Sequence, residues 1–297
     1  MTEHLPVIGI DVGGTGTKAV LADASGAVLA QRHRPTPPRA ERVLELACSL
    51  VAELSEDAAP AAVGLVVPGV VDESRGVAVF SANLGWSDVP FRALLAERLG
   101  LPVAFGHDVR AGALAEHRLG AARGTADAVF LPVGTGISAA HVQNGRVHSG
   151  GGYAGEIGQV PVAGGRLEAV ASAAAISRRY QERTADPVAG AAEVAQRVAA
   201  GDAIATGVWE EAVDALGGAL IWLTALLAPE VVVVGGGLSQ AGPLLFDPLS
   251  RRLEADWPLA RAPRLVPAEL GDRAGSLGAA LLAADLAATK INRTEMG

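Results

Sequence analysis

The sequence contains almost no cysteine, since Cys48 is the single one among 297 residues. One thiol excludes a disulfide within the chain and a zinc site built from several thiolates. A reducing cytoplasm is therefore the expected location.

Basic clusters are also missing. The chain has 24 Lys and Arg against 32 Asp and Glu, a net charge of -8, and contains no run of Lys or Arg. Binding to nucleic acid or to an anionic membrane depends on clustered positive charge, so neither is an expected partner.

Long uninterrupted apolar runs are absent as well. The longest apolar stretches contain Gly or Pro or are too short to span a bilayer. The apolar run that starts at Val7 follows neither a basic region nor an A-x-A cleavage site, so no signal peptide is expected.

What the sequence does contain is a pattern that occurs twice. From Val7 the chain reads VIGID, VGGTGT, KAVLAD, a turn at Ser25-Gly26 and VLAQRHR. From Ala128 it reads AVFLPV, GTG, ISAAHVQ, a turn at Asn144-Gly145 and RVHSG. Each copy predicts strand, glycine turn, strand, turn, strand. Two coincidental hairpins would also give this pattern, but duplication is favoured and predicts two similar lobes with a cleft between them.

The segments between the two copies alternate as in an α/β protein. Helical spacing of apolar residues predicts helices over 39–55, 91–99, 202–227 and 276–288, and apolar runs predict strands over 61–67, 102–106 and 230–234. We expect an N-terminal lobe over 1–107 and a C-terminal lobe over 108–275. A C-terminal helix over about 276–290 is expected to pack back on the first lobe.

The glycine-rich turns suit the binding of phosphate. A reversal such as Val12-Gly13-Gly14-Thr15 lets backbone amides approach an anion, because no Cβ intervenes, and the Thr hydroxyl adds a donor. Gly134-Thr135-Gly136 and Gly235-Gly236-Gly237 offer comparable donors. Each cluster alone can equally be a tight hairpin turn. The spacing fits neither a Walker P-loop nor the dinucleotide fingerprint.

Asp11 lies at the end of a predicted strand, directly before the first glycine turn. A carboxylate in this position could hold Mg²⁺ or its waters against phosphates, or it could cap the turn.

The ordered motifs resemble those of the ROK family of sugar kinases and related repressors, within the actin and hexokinase-like superfamily. The resemblance covers nearly the whole chain. The motifs that carry it are Asp11-Val-Gly-Gly-Thr15, Val67-Pro-Gly69-Val-Val-Asp72, Asn83-Leu-Gly-Trp86, His107-Asp108-Val-Arg-Ala-Gly112, Gly134-Thr-Gly136, Gly155-Glu-Ile-Gly158, Leu167-Glu-Ala-Val-Ala-Ser172 and Gly235-Gly-Gly237.

The resemblance implies a two-lobed actin/hexokinase-like α/β fold with a duplicated ribonuclease-H-like core and a central cleft. It implies that ATP and Mg²⁺ bind across the cleft, with Asp11 at the metal, and that the protein forms a homodimer. Asp108 would be the base that takes the proton from the attacking hydroxyl. The residues that would bind sugar are Gly69, Asn83, Asp108, Glu156, Gln159 and Glu168. Those that would bind the nucleotide are Gly13, Gly14, Thr15, Gly134, Thr135, Gly136, Gly236 and Gly237.

Apart from the family, these residues have other interpretations. Asp108 follows a predicted strand and opens a predicted helix, so it could serve phosphoryl transfer as a rigidly placed base or could cap the helix. Glu156 and Glu168 could be solvated loop acids, although carboxylates also suit the recognition of several hydroxyls. Asn83 could serve a turn instead of a sugar.

The chain departs from the family pattern at several positions. Many members carry a Cys-x-Cys-Gly-x-x-Gly-Cys zinc loop where this chain has the segment from Gly158 to Arg166, with no cysteine or histidine, so no zinc site is expected there. Gln159 replaces a residue that usually serves both metal and sugar. His107 and Arg110 stand where the family more often has asparagine. We interpret His107 as a packed or hydrogen-bonded residue at a strand end, and Arg110 as a phosphate contact or the partner of an acid.

The expected activity is ATP-dependent phosphorylation of a glucose-type hexose. An aminosugar or a sugar-like cyclitol is an alternative acceptor. The run Gly-Gly-Thr-Gly16-Thr-Lys18 is similar to that of polyphosphate-using glucokinases. ATP is nevertheless the preferred donor, because binding a long polyanion needs a cluster of Lys and Arg and none is evident in the sequence. A sugar-binding protein without activity is a further alternative. A repressor is disfavoured, because only six residues precede Val7 and repressors place a DNA-binding domain there.

Overall fold

The computed structural model describes residues 5–23, 25–56, 58–81, 84–259 and 261–295, with side chains described up to residue 289. The strands are β1 (Val7–Val12), β2 (Gly16–Ala22), β3 (Val28–Pro35), β4 (Val63–Val67), β5 (Val70–Asp72), β6 (Val77–Ser81), β7 (Trp86–Val89), β8 (Val103–His107), β9 (Asp127–Pro132), β10 (Ala140–Gln143), β11 (Arg146–Val147), β12 (Pro161–Val162), β13 (Gly165–Arg166), β14 (Val231–Gly235) and β15 (Arg264–Pro267). The helices are α1 (Ala40–Ser55), α2 (Phe91–Leu99), α3 (Asp108–Leu119), α4 (Leu167–Ala171), α5 (Ala173–Thr184), α6 (Ala191–Ala199), α7 (Ala203–Leu227), α8 (Pro243–Asp256) and α9 (Ala274–Glu295).

The chain divides into two compact units. The first consists of Met1–Ala115, Ser149–Tyr153 and Asp272–Gly297, and the second of Glu116–His148 and Ala154–Gly271.

The first unit is built on a five-stranded sheet with the order β3-β2-β1-β4-β8. The pairs β3-β2 and β2-β1 are antiparallel, whereas β1-β4 and β4-β8 are parallel. Helix α1 buries one apolar stripe at the spacing of a helix, made of Val43, Leu44, Ala47, Leu50, Val51 and Leu54. A small antiparallel sheet of β5, β6 and β7 belongs to the same unit.

The second unit repeats this design with a sheet of order β11-β10-β9-β14-β15. Here β11-β10 and β10-β9 are antiparallel, and β9-β14 and β14-β15 are parallel. Helix α7 begins after Asp202, whose Oδ1 accepts hydrogen bonds from the amides of Ile204 and Ala205 at 2.8 and 3.0 Å. The identical strand order and directions confirm the duplicated ribonuclease-H-like core and the α/β fold class.

The two sequence copies differ in how much strand they form. The turn prediction is confirmed, because Asn144 and Gly145 both have positive φ, 50° and 74°. Strand β10 is shorter than the predicted segment over 137–143. The reason is that the amide of Ala139 donates to the carbonyl oxygen of Gly155 at 2.8 Å instead of to a ladder partner.

The boundary between the units differs from the predicted division at residue 108. Residues 108–115 group with the first unit, because Ala111 on α3 packs in a small core with Val66 of β4 and Ala279 of α9. Ser149–Tyr153 also groups with the first unit, and its Gly152 lies against the backbone of Val71. Helix α9 begins at Ala274, two residues before the predicted start, and contacts β1, β4 and β8.

None of the helices in the described part of the chain is both long enough and apolar enough to cross a membrane.

Candidate active site

Asp108 is the first residue of α3 and directly follows β8. Its side chain is about a quarter exposed, at 26%. Oδ1 accepts a hydrogen bond from the amide of Val109 at 2.7 Å and lies 3.3 Å from Nε2 of His107. Oδ2 makes no hydrogen bond with a described residue. The carboxylate is thus anchored through one oxygen, and the other oxygen is available to accept a proton.

Asp11 lies near the end of β1, directly opposite Lys18 of β2 in the ladder. Burial raises the pKa of Asp11 to about 7, and repulsion from Asp108 and Asp272 acts in the same direction, while Lys18 opposes it. Gly275 near the start of α9 has no side chain, and a Cβ there would overlap the carboxylate of Asp11. The N-terminus of α9 therefore closely approaches this carboxylate.

Two other acidic groups of the first unit, Asp108 and Asp272, are close enough to Asp11 for their charges to act on it. A divalent cation would relieve this repulsion, so the charges fit Mg²⁺. Among the described residues, no group of three or more His, Cys, Asp or Glu could hold a metal ion by itself. Magnesium would therefore rely on Asp11, waters and donor phosphates, a coordination that this ion commonly adopts.

The first glycine turn joins β1 to β2. The amide of Gly13 donates to the carbonyl of Gly16 at 3.0 Å, and the hydroxyl of Thr36 donates to the carbonyl of Gly13 at 2.7 Å. Gly14 and Thr15 at the tip of the turn are exposed. The base of the turn is fixed by hydrogen bonds, while its tip offers backbone and hydroxyl groups to a ligand.

The second unit brings its two glycine loops together. The amide of Gly134 donates to the carbonyl of Gly136 at 3.0 Å, and the amide of Leu238 donates to the carbonyl of Val133 at 3.1 Å. Gly236 and Gly237 precede Leu238 and are exposed, whereas Thr135 forms the tip of the other loop. The residues of this unit that are predicted to bind the nucleotide thus lie on two adjacent loops.

Glu168 lies on α4 next to this site. Its Oε2 accepts a hydrogen bond from the amide of Ile137 at 2.9 Å, directly after Gly136. Gln159 ends a short 3₁₀ segment, Ile157–Gln159, and Glu156 directly precedes it; both residues are exposed. A Cβ at Gly158, between Glu156 and Gln159, would lie 3.2 Å from Cβ of Glu168, so this segment packs against Glu168.

The segment from Gly158 to Arg166, where the resemblance implies a zinc loop in many family members, contains a two-stranded hairpin. β12 pairs antiparallel with β13, and Nη1 of Arg166 donates to the carbonyl of Gln159 at 2.8 Å. The amide of Leu167 donates to the carbonyl of Val160 at 2.9 Å. Hydrogen bonds hold this segment in place.

The other predicted residues are placed as follows. Gly69 joins β4 to β5 and lies against the backbone of Phe80. Asn83 lies outside the described residues. His107 is buried and hydrogen-bonded at the strand end, as interpreted from the sequence. Arg110 is the partner of an acid, one of its two interpretations from the sequence, because its Nε donates to Oε1 of Glu73 at 2.8 Å.

Sequence reasoning missed Lys18, Asp272 and Gly275 around Asp11. Lys18 could have been found from the hairpin register, because a turn that pairs Val12 with Thr17 places Asp11 opposite Lys18. Asp272 and Gly275 are more than 250 residues away in sequence, and no local pattern marks them.

The duplicated core, with a glycine-rich turn after the first strand of each unit's sheet, is typical of α/β enzymes that transfer phosphoryl groups. The chain belongs to the ROK family, whose model matches residues 7–286.

Relatives and solved structures match the chain over nearly its whole length. A glucokinase of Thermotoga maritima is 33% identical and covers 93% of this chain and 96% of its own. The crystal structure of a ROK family glucokinase from Streptomyces griseus, in complex with glucose and AMPPNP, has a TM-score of 0.83 at 29% identity and covers 94% of this chain and 99% of its own. That of a ROK hexokinase from Thermus thermophilus has a TM-score of 0.81 at 35% identity, with coverages of 96% and 100%.

Proposed function

We propose that the protein is a sugar kinase that transfers the γ-phosphoryl group of ATP to a hydroxyl of a glucose-type hexose. The observation that carries the proposal is the placement of Asp108, whose Oδ1 is anchored and whose Oδ2 is available at the start of a rigid helix. Membership of the family and relatives named glucokinase and hexokinase support the same reaction.

In the proposed reaction, Oδ2 of Asp108 takes the proton from the attacking sugar hydroxyl. The hydroxyl oxygen forms a bond with the γ-phosphorus as the bond from that phosphorus to the bridging oxygen of ADP breaks. Phosphoryl transfer depends mainly on alignment and on charge stabilisation, so a fixed base contributes by orientation as well as by accepting the proton.

The donor phosphates would be held by the glycine turns. Gly13, Gly14 and Thr15 provide amides and a hydroxyl, and the loops of the second unit provide a comparable set. Magnesium bound near Asp11 would supply charge neutralisation for the phosphates. Lys18, opposite Asp11 in the ladder, adds a positive charge on the same side of the sheet.

On the acceptor side, Glu168 is the best supported residue, because the Ile137 amide orients its carboxylate beside the glycine loop. We propose that Gly69, Asn83, Glu156 and Gln159 join it in binding the sugar. An exposed amide such as that of Gln159 can donate and accept hydrogen bonds with hydroxyls but does not titrate near neutral pH. The identity of the sugar depends on this set, so an aminosugar or a cyclitol remains an alternative acceptor.

The direct test is an assay of ADP formation over hexoses, aminosugars and cyclitols. We expect sugar-dependent ADP formation with ATP and Mg²⁺, highest in kcat/KM for a glucose-type hexose. ³¹P NMR of the product would identify the phosphorylated hydroxyl. Calorimetric binding of a sugar without any turnover would instead indicate a non-catalytic sugar-binding protein, and sequence-specific DNA binding at physiological salt would indicate a regulator.

Inorganic polyphosphate is a second candidate donor, favoured by one feature of the first unit. The first unit contains a pocket of about 480 Å³. Its charged and histidine lining residues are Lys18, Arg32, His33, Asp272 and Arg273. The sequence alone did not reveal this cluster, because its members are far apart in the chain. Lys18 and Arg32 are partly neutralised by Asp272 at 3.2 Å and Glu53 at 3.6 Å, whereas Arg273 makes no ion pair with a described residue.

If polyphosphate occupies this pocket, Arg273→Gln should weaken its use several-fold while leaving the rate with ATP nearly unchanged, because removing one phosphate contact weakens anion binding. Arg75→Gln, which removes an exposed arginine elsewhere in the same unit, is the matched control. If Arg273→Gln lowers the rates with ATP and with polyphosphate equally, or if polyphosphate supports no turnover, polyphosphate is rejected as a donor and ATP is retained.

We also propose a homodimer in the cytoplasm, as the family resemblance implies. Light scattering of the purified chain tests the dimer.

A further inference from the structure

We propose that His107 is a positioning residue, whose neutral imidazole holds its Nε2–H edge against Oδ1 of Asp108 and so orients the base. This inference rests on the proposed function, in which Asp108 accepts the proton of the sugar hydroxyl.

The first step of the argument is the location of His107. It is the last residue of β8, directly before Asp108, and only 5% of the residue is exposed. Its Nε2 lies 3.3 Å from Oδ1 of Asp108. A buried imidazole at a strand end has few orientations, so this contact is set by the fold rather than by side-chain mobility.

The second step is the tautomer. Nδ1 of His107 accepts a hydrogen bond from the amide of Arg110 at 3.4 Å. An imidazole nitrogen that accepts a hydrogen bond carries no proton, so the proton of the neutral ring is on Nε2. The backbone of the first turn of α3 therefore selects the tautomer that can donate to Asp108.

The third step is the charge of the ring. Burial lowers the pKa of His107, the guanidinium of Arg110 lowers it further, and Asp108 and Glu73 oppose the shift. The Arg110 guanidinium, buried with 3% exposure, is bound by Glu73 at 2.8 Å and faces the carbonyl of Gly152 at 3.5 Å. Arg110 thus fixes the ring through its amide and disfavours its protonation through its charge.

Asp108 is therefore oriented by a neutral ring and not by a positively charged partner. The Val109 amide and the His107 ring both contact Oδ1, which leaves Oδ2 for the acceptor hydroxyl of the proposed reaction. A neutral donor does not place a full positive charge beside the carboxylate, which keeps its capacity to take a proton. The pair resembles an imidazole–carboxylate dyad with the usual roles reversed, because here the imidazole orients and the carboxylate reacts.

The test compares His107→Leu with His107→Gln. Leucine fills a similar volume without a donor, whereas the glutamine amide nitrogen reaches about as far along the side chain as Nε2. We expect His107→Leu to lower kcat about 10- to 100-fold with the KM for sugar changed less than about 3-fold, because the orienting contact acts on the chemical step. His107→Gln should recover most of kcat. His141→Gln, at a histidine of the second unit, is the matched control and should leave both constants near wild type.

A spectroscopic measurement keeps the test independent of folding of the leucine variant. In ¹H–¹⁵N correlation spectra of the wild-type protein we expect His107 as the neutral Nε2–H tautomer near neutral pH. An Nδ1–H tautomer, an imidazolium, or a His107→Leu variant with wild-type kcat would overturn the proposal.

The role of His107 and the assignment of Asp108 as the base can be rejected independently. If Asp108→Asn keeps its rate, the base assignment is wrong, whereas if Asp108→Asn is inactive and His107→Leu is active, only the role of His107 is wrong.

Discussion

Asp11 carries a carboxyl group whose surroundings disfavour a negative charge. Burial and the charge of Asp108 raise its pKa to about 7, from an ordinary value of 3.8. Between these two values the folded protein holds a proton that the unfolded chain has released. The free energy of unfolding therefore falls as pH rises from about 4 to about 7, and the full penalty is present above that range.

We predict that Asp11→Asn stabilises the metal-free protein at high pH. The gain should be on the order of 1–3 kcal/mol at about pH 8 and should be small at about pH 4, close to the ordinary pKa of 3.8, where little of the penalty has developed. Urea unfolding at the two pH values, without nucleotide or Mg²⁺, measures it. Kinase activity should fall strongly in the same variant, because the amide is a weak ligand for the cation. A variant that is equally or less stable than wild type at both pH values would contradict the account of Asp11.

Several contacts of single residues could not be predicted from the sequence. The Asp11 turn, Asp108 and the glycine loops were identified by motif and by their positions at strand ends. The Glu73 partner of Arg110, the amide that selects the His107 tautomer and the approach of Gly275 to Asp11 depend on packing between distant segments. No local pattern encodes these contacts.

At the scale of elements, α3 is fixed at its C-terminal end by a buried acid. Glu116 is 1% exposed and accepts hydrogen bonds from the amides of Ala121 at 2.9 Å, Glu269 at 3.2 Å and Leu270 at 2.9 Å. These contacts tie α3 to the segment that follows β15. Buried amides without partners are unfavourable, so the carboxylate stabilises both segments.

We predict that Glu116→Gln lowers the free energy of unfolding by about 1–3 kcal/mol, because the glutamine NH₂ would face backbone donors in place of an accepting oxygen. Urea unfolding followed by circular dichroism measures the change. Glu254→Gln, at an exposed position of α8, should leave the transition unchanged. An unchanged transition in the Glu116 variant would show that these hydrogen bonds add little.

Element positions were more predictable than residue contacts. Apolar periodicity predicted α1, α2 and α7 to within one residue at each end. The β10 strand was predicted too long, because the loop at Gly155 competes for its backbone hydrogen bonds. Such competition arises only once segments distant in sequence meet.

At the scale of the whole molecule, the duplication read from two hairpin patterns is present as two sheets of the same strand order. The division near residue 108 differs from the observed one, because residues 108–115 of α3 group with the first unit and residues 116–119 with the second. A helix that continues through a boundary leaves no break in composition or periodicity. The duplicated core was therefore predictable, whereas its boundary was not.

The measurement that most directly tests the central claim is the steady-state rate of Asp108→Asn with glucose, ATP and Mg²⁺. We predict that kcat falls by at least about 10²- to 10⁴-fold, the range typical of losing a general base, while calorimetric glucose binding stays close to wild type. The control is Asp88→Asn, an exposed aspartate with a positive φ that asparagine also tolerates. Near-normal turnover by Asp108→Asn would contradict the assignment of this carboxylate as the base.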